Sequence, residues 1–546
     1  MRDDYDFIVV GAGSAGCVLA NRLSQDPANR VLLVEAGGSD RNINVRIPVG
    51  FAKQFKTNLD WGYMAEPDDN LIGRSMFLPR GRCLGGSSSM NAMIYIRGQR
   101  EDFEGWVDAG ADGWGYDDVL PAFKRHEGNE RLGDPLHGRN GELNVADPVW
   151  KSDLGQRFIR SAEALGVPRT DDFNGERQDG AGDVQVTQKR GRRWSAADAF
   201  LHPIRKRRDN LTVLTNAHAL RVILEGERAT GVELEHKGTT FTARARREVI
   251  VSAGAYNTPA LLMLSGIGPA DHLREVGVQT RVDSPHVGEH LMDHPLLTLT
   301  WQSTEPGGLE DATHPKYLLE YIARRGRGKL SSNVAETGAF VRMLDGATSP
   351  DLQILFSSAY FVDNGFRSHP GPCMTVGLSL IHPKSQGSVR LRSADPHDTP
   401  AIHLNFLDDP QDLEILLRGV RYAYELTQTQ PLADRTGVSI DPGPGVTSDE
   451  HIEAWIRGEV QHTYHASCTA RMGREGDSVL DPQLRVRGVE GLRVADASAM
   501  PRVTSGNTNA PTIMIGERAA QFILEGETPA RAAEPAPAEA EAGAAA

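Results

Sequence analysis

The residues whose types and spacing could do chemistry begin eleven positions into the chain. Gly11-Ala-Gly13-Ser-Ala-Gly16 has the G-x-G-x-x-G spacing. Gly11 would make a tight turn, Gly13 would let the backbone approach a pyrophosphate, and Gly16 would let a helix pack closely on a strand. The N-terminus of that helix offers free N–H groups and a partial positive charge to an anion. Glu35 stands 19 residues after Gly16. Its carboxylate can accept from a pair of ribose hydroxyls, and its charge disfavours a 2′-phosphate. These residues predict a dinucleotide site, and by themselves they do not separate FAD from NAD. The chain has 17 histidines, so type alone selects none of them as a base. His290, Asp293 and His294 form a His-Asp-His cluster, but no metal is assigned to it. Cys17, Cys83, Cys373 and Cys468 form no C-x-x-C pair, which gives no zinc or thioredoxin-type signature.

The elements that must position these groups are legible in outline. Phe7-Ile-Val-Val10 is a short apolar run before the glycine turn, Cys17 to Ser24 has helical spacing, and Val31-Leu-Leu-Val34 is a second strand. This is a βαβ opening. A β-rich block runs from about residue 210 to 255, through Leu211–Leu214, Leu220–Leu224, Gly231–Leu234 and Val249–Gly254, with helical spacing from Pro259 to Leu264. Residues from about 300 to 461 read as a separate mixed α/β unit, and a last dense segment runs from Tyr464 to Leu524. Residues 527–546 are almost only Ala, Glu and Pro and are expected to be a disordered tail.

Three further segments narrow the reading. They are Gly81-Arg-Cys-Leu-Gly-Gly-Ser-Ser-Ser-Met-Asn91, Gly254 to Gly268 (GAYNTPALLMLSGIG), and Tyr464 to Gly473 (YHASCTARMG) with Gly491 to Pro501 and Gly506-Asn-Thr-Asn-Ala-Pro-Thr512. With the glycine turn, they resemble the glucose–methanol–choline (GMC) oxidoreductase family, in particular its choline-dehydrogenase-like members. The resemblance covers the chain up to about Leu524. It implies an α/β plus α+β fold, with a Rossmann-like FAD-binding domain and a discontinuous substrate-binding domain on a mixed or antiparallel sheet. The implied divisions are 1–150, 193–298 and 463–526 for the first domain, and 151–192 and 299–462 for the second.

The resemblance also implies FAD as cofactor. Its binding residues would be Gly11, Gly13, Ser14, Ala15, Gly16, Glu35 and Ala36 around the first turn. Arg82, Gly85, Gly86, Ser87, Asn91, Ala92, Met93 and Ile94 would come from the second segment. Ala253, Gly254, Asp496, Ala497 and Thr508 come from later strand ends, and Trp61 and Ala219 match further cofactor-side positions. Some relatives attach the flavin through a histidine where this chain has Met90, so the FAD is expected to be non-covalent. Oxidation of an alcohol then needs a base, most simply a histidine. His465 matches the family's catalytic histidine and Asn509 its second catalytic position, with His462 nearby. The implied reaction is oxidation of a primary alcohol to the aldehyde by hydride transfer to flavin N5. Choline is one candidate substrate, with Glu336 as a candidate partner for its cation. Oxygen, a quinone or another acceptor would reoxidise the flavin. The alternative is a flavoprotein of this fold with lyase or photoenzyme activity.

Bulk properties bound the remaining classes. Net charge is −14, which disfavours nucleic acid as a partner. The basic run Arg205-Lys206-Arg207-Arg208 is expected to be a solvated turn or helix end. No run is long and apolar enough for a membrane helix, no secretory signal is read at the start, and scattered cysteines fit a reducing compartment. A cytoplasmic location is the default, with peripheral membrane contact left open. A homodimer is one assembly the sequence allows.

Overall fold

Continuous apolar runs bury on both faces, and the two N-terminal runs do so. Asp4–Val10 and Val31–Glu35 are adjacent parallel strands, and from Phe7 to Val10 and throughout Val31–Glu35 every residue is buried. The computed structural model describes residues 4–526, so the expected tail at 527–546 lies outside the described residues. Leu211–Thr215 pairs in parallel with the outer side of Val31–Glu35. On the other side, Asp4–Val10 runs parallel to the long strand Thr239–Val251. The first half of that strand turns back through antiparallel Arg228–His236 and Ala217–Glu225, while its end takes Leu492–Val494 in parallel. The carboxyl ends of the parallel strands, at Val10, Glu35, Val251 and Val494, therefore share one edge. Ligands of open α/β sheets bind along such an edge.

A second seven-stranded sheet is antiparallel. Its order is Thr436–Asp441, Pro295–Ser303, Cys373–Leu380, Leu352–Ser357, Thr337–Val341 and Gly180–Asp183, with Gln461–His462 pairing the start of Pro295–Ser303. Each sheet has its own apolar core. The helix Pro410–Thr427 packs on the second sheet with Ile415, Leu416, Val420 and Ala423 buried. Two of the expected domain divisions fall within strands. The one at 298/299 falls inside Pro295–Ser303, whose register with Cys373–Leu380 is unbroken from Leu296 to Gln302. Nothing in Leu296-Leu-Thr-Leu-Thr-Trp301 ends a strand, so the chain passes to the second sheet at Pro295. The division at 192/193 splits the short strand Arg192–Arg193. The basic run 205–208 lies in a turn, where Arg208 donates to the Asn21 carbonyl and to Ser24 Oγ. Among the described residues, no helix is long and apolar enough to cross a membrane.

Candidate active site

The glycine turn is built by close backbone approach. Gly11 has φ +102°, and a Cβ there would lie 2.3 Å from the Ser252 carbonyl oxygen. A Cβ on Gly16 would meet the Gly11 carbonyl at 1.9 Å, whereas one on Gly13 would meet nothing within 4 Å. The turn is therefore packed on one side and open on the other. The open side faces one continuous cavity that runs from Glu35 to His465. Gly86 is held against the same turn, with a φ of +53° and a would-be Cβ 2.8 Å from Gly13 Cα. Glu35 is fixed by the backbone N–H groups of Ala12 and Gly37, at 3.0 and 2.8 Å. Burial raises its carboxyl to about 7 even so, and further donors such as ribose hydroxyls would favour the ionised form. Asp496 caps two elements at once. Its Oδ2 accepts from Gly254 N–H and Thr258 Oγ1–H, and its Oδ1 accepts from the N–H and O–H of Ser498.

These features fit a dinucleotide with a flavin at its far end. Gly11, Gly13, Ser14, Ala15, Glu35, Ala36, Trp61, Gly86, Ser87, Asn91, Ala92, Met93, Ile94, Ala219, Ala253, Gly254, Asp496, Ala497 and Thr508 all line the cavity. Three expected cofactor residues are not in its wall. Gly16 is used in helix–strand packing. Gly85 donates its N–H to the Ala12 carbonyl and holds the second loop to the first. Arg82 stacks its guanidinium 4.7 Å from the Trp61 ring, behind the wall.

At the other end of the cavity, His465 is buried and its surroundings fix its state. Its backbone N–H donates to Asp293 Oδ1 at 2.8 Å. Its Nδ1 lies 2.9 Å from Nδ1 of His294, and its Nε2 lies 3.1 Å from Asn507 Nδ2. Gln353 Nε2 donates to Asn507 Oδ1 at 3.4 Å, which turns the Asn507 NH₂ group toward His465. Nε2 of His465 is then an acceptor, and Nδ1 carries the ring hydrogen and donates to His294. Burial lowers the His465 pKa to about 4, with the nearby Asp293 opposing the shift and Arg80 adding to it. The ring is a neutral imidazole with its lone pair in the cavity. Burial would also raise the Asp293 carboxyl, but His462 first and then Arg80 hold it at about 2. An ionised carboxylate thus sits beside a neutral histidine.

Asn509, the expected second catalytic residue, does not reach His465. It is the first residue of the helix Asn509–Glu525, and its Oδ1 accepts from Ser14 Oγ at 2.7 Å. Asn507 stands in its place, because the turn before the helix points the two asparagines to different partners. His462 is pinned, with Nε2 donating to the Phe77 carbonyl and Nδ1 accepting from Tyr464 N–H. Glu336 is fully buried and absent from the cavity wall. It accepts from Ser152 N–H and Ser332 Oγ, and burial raises it to about 7. A cation in the cavity would not meet it. The His290–Asp293–His294 cluster is divided. Asp293 and His294 serve His465, while His290 turns to His286 and Gln386. Among the described residues, Asp40, Asp198 and His202 bring ligand-type atoms within 4.8 Å of one another, a grouping no sequence motif marked. His202 already meets Asp40 at 2.7 Å, and Asp198 accepts from Ser195.

The sequence reading also missed the wall around His465. Phe51, Phe55, Phe361 and Tyr464 bring aromatic rings to the cavity, and Leu296, Val334 and Leu355 add aliphatic surface. Phe51 lies 5.8 Å from Phe361 and 6.1 Å from Phe55, and Phe55 lies 6.1 Å from Tyr464, all between ring centroids. The carboxylates that line the cavity are Glu35, Asp398 and Asp496. Glu35 and Asp496 belong to strand ends of the first sheet, and Asp398 lies in the loop that places the Pro396 carbonyl on His218 beside Ala219.

Comparison with known proteins agrees with this geometry. The GMC oxidoreductase N-terminal and C-terminal family models match residues 5–296 and 383–516. An alcohol dehydrogenase [acceptor] of Pseudomonas putida is 44% identical over 529 residues, covering 95% of this chain and 96% of its own. An oxygen-dependent choline dehydrogenase of Rhizobium etli is 42% identical over 538 residues, covering 95% of each chain. Among solved structures, pyridoxine 4-oxidase from Mesorbium loti superposes with a TM-score of 0.88 at 32% identity, covering 95% of this chain and 99% of its own. Formate oxidase of Aspergillus oryzae gives 0.90 at 28% identity, covering 96% and 99%. With the glycine turn, the Asp496 cap and His465 on one cavity and both family models matched, the chain belongs to the GMC oxidoreductases, FAD-dependent enzymes acting on CH–OH donors.

Proposed function

We propose that the enzyme oxidises an uncharged, apolar primary alcohol to the aldehyde, with His465 as the base and FAD held without a covalent link. The observation that carries the substrate class is the aromatic and aliphatic wall beside His465, together with the burial of Glu336 away from it. Bound FAD would supply the hydride acceptor. The chain's own part is to handle the proton and the oxygen. His465 Nε2 takes the hydroxyl proton, and its ring becomes an imidazolium whose charge Asp293 stabilises. Asn507 Nδ2, 3.1 Å from that nitrogen, would turn its N–H to the oxygen as negative charge develops on it. As that charge grows the α-carbon gives up its hydrogen with the bonding pair, and the C–O bond becomes a carbonyl. His294 keeps Nδ1 of His465 protonated and so keeps the base at Nε2. Met90 lies in the cavity wall where a linking histidine would be needed, and a thioether does not substitute for that imidazole.

A second reading has one observation in its favour. Four aromatic rings could face a quaternary ammonium group, and a relative is named a choline dehydrogenase. The two readings separate in an anaerobic assay of flavin bleaching. For straight-chain primary alcohols, kcat/KM should rise about fourfold per added methylene until the cavity is filled, as expected for burial of about 0.8 kcal/mol each. Choline should react more slowly than its uncharged carbon isostere. Choline outpacing that isostere would overturn the uncharged-substrate reading.

A further inference from the structure

The helix Pro315–Ala323 is attached to the protein by one buried residue. Tyr321 is buried, and its hydroxyl donates to the Gly191 carbonyl at 2.9 Å. The rest of its apolar surface faces outward, with Leu318, Leu319 and Ile322 exposed by 37, 68 and 65%. Ile43, on the helix Ile43–Arg46, is 61% exposed. The two helices belong to one surface. Pro315–Ala323 packs on the turn Lys329–Ser331, that turn packs on Pro48–Gln54, and Pro48–Gln54 packs on Ile43–Arg46. The hairpin Gln188–Arg193 touches both sides, through Gly191 and through Arg193 Nε, which donates to the Val45 carbonyl. Isolated exposed apolar residues need no explanation, but four on adjoining elements do.

The charges around them are mainly basic, with Glu320 pairing Arg324 and Asp311 pairing Lys316 and Lys329. Residues 41–59 contain four basic residues and no acidic one, and the hairpin contributes Lys189, Arg190 and Arg192. Residues 324–329 add Arg324, Arg325, Arg327 and Lys329. Arg46, Arg190, Arg325 and Arg327 are exposed and have no ion pair among the described residues. In a chain of net charge −14, this concentration of cations favours an anionic counterpart. Nucleic acid would supply the charge but would leave Leu319 and Ile322 in water. A short helix with aliphatic residues on its outer face and basic residues beside it is suited to lie in the interface of an anionic bilayer.

We propose that this surface, centred on Pro315–Ala323, docks the enzyme on anionic lipid membranes. The aliphatic side chains enter the headgroup boundary and the arginines meet lipid phosphates. Each basic residue near such a surface strengthens binding about fivefold, and the attraction is screened by salt. The segment Pro48–Gln54 has this surface on one side and the cavity on the other, since Phe51 lines the cavity. Docking would therefore bring the substrate end of the cavity close to the lipid.

The test uses the flavin-loaded full chain and sedimentation with vesicles. One set is pure phosphatidylcholine and the other contains about one third phosphatidylglycerol. Binding should be confined to the anionic set and should weaken strongly as salt is raised from about 0.1 to 0.5 M. Arg325→Glu with Arg327→Glu should remove the preference for anionic lipid. Leu319→Ser with Ile322→Ser should lower the partition about tenfold. Turnover of a soluble alcohol should equal the parent's in both variants, which shows that they are folded. Three results would overturn the proposal: equal binding to neutral and anionic vesicles, vesicle binding that neither variant changes, or no vesicle binding. A parent dimer that Leu319→Ser with Ile322→Ser dissociates, without vesicle binding, would reassign the surface to a second copy of the chain. DNA retention lost on charge reversal, again without vesicle binding, would reassign it to nucleic acid.

Discussion

Two asparagines two positions apart differ in what the fold asks of them. Asn507 precedes the helix and is turned toward His465 by Gln353, whereas Asn509 begins the helix and is turned back to Ser14. The sequence pointed to Asn509 within Asn507-Thr-Asn509, whereas the residue that meets His465 is Asn507, because that outcome depends on where the helix starts. His294 was equally hidden. It was visible as part of a cluster, but its partner lies 171 residues away, and only the pairing of Pro295–Ser303 with Gln461–His462 brings the two together. Removing a donor that stabilises a developing oxyanion costs about 10²–10³ in rate. Asn507→Ala is therefore expected to slow anaerobic flavin reduction by about that factor. Asn509→Ala, which loses one neutral hydrogen bond, should stay within about tenfold of the parent. Equal effects, or a larger loss at Asn509, would return the role to the residue first expected.

At the scale of elements, the glycine turn and the strands around it were the most legible part of the chain. Phe7–Val10, Val31–Val34 and Val249–Val251 are uninterrupted apolar runs, and such runs become parallel strands buried on both faces. The second sheet was less legible. Its edge strand Gly180–Asp183 reads Gly-Ala-Gly-Asp and has no β-branched residue to announce it, and Pro295–Ser303 reads as a continuation of the preceding segment. The joint between the two glycine-rich loops makes a prediction of its own. Gly86 combines a left-handed φ with a would-be Cβ 2.8 Å from Gly13 Cα, and neither backbone can yield without opening the phosphate turn. Gly86→Ala is expected to fold but to emerge from gel filtration with less than about half the parent's flavin per chain, read as the ratio of flavin to protein absorbance. Full flavin loading in that variant would show that the close approach is not required.

For the molecule as a whole, acid stability depends on groups that the fold keeps neutral. His126 is fully buried against Tyr95 and Phe123, and burial first, then the charge of Arg97, lowers its pKa from 6.5 to about 3. Between about 3 and 6.5 the unfolded chain binds a proton there that the folded chain does not. Stability from this site is thus complete above 6.5 and is lost as pH falls toward 3. Urea unfolding of His126→Phe across that window should show a dependence on pH flatter than the parent's by up to about 1.4 kcal/mol per unit. Parallel curves would mean that His126 is protonated in the folded protein. No motif marks this histidine, since its state follows only from how deeply its helix packs. Family membership, by contrast, was legible almost end to end, because the segments that carry it are those that fold against the cofactor cavity.

The central claim is that the neutral imidazole of His465 accepts the substrate proton. Its most direct test is stopped-flow reduction of the flavin by a primary alcohol without oxygen, comparing the parent with His465→Ala after both are shown to carry equal flavin. Loss of a general base costs about 10²–10⁴ in rate, and the variant should slow by that factor while retaining its FAD. Near-parental reduction in the flavin-loaded variant would contradict the claim and with it the role given to the His294–His465–Asn507 chain.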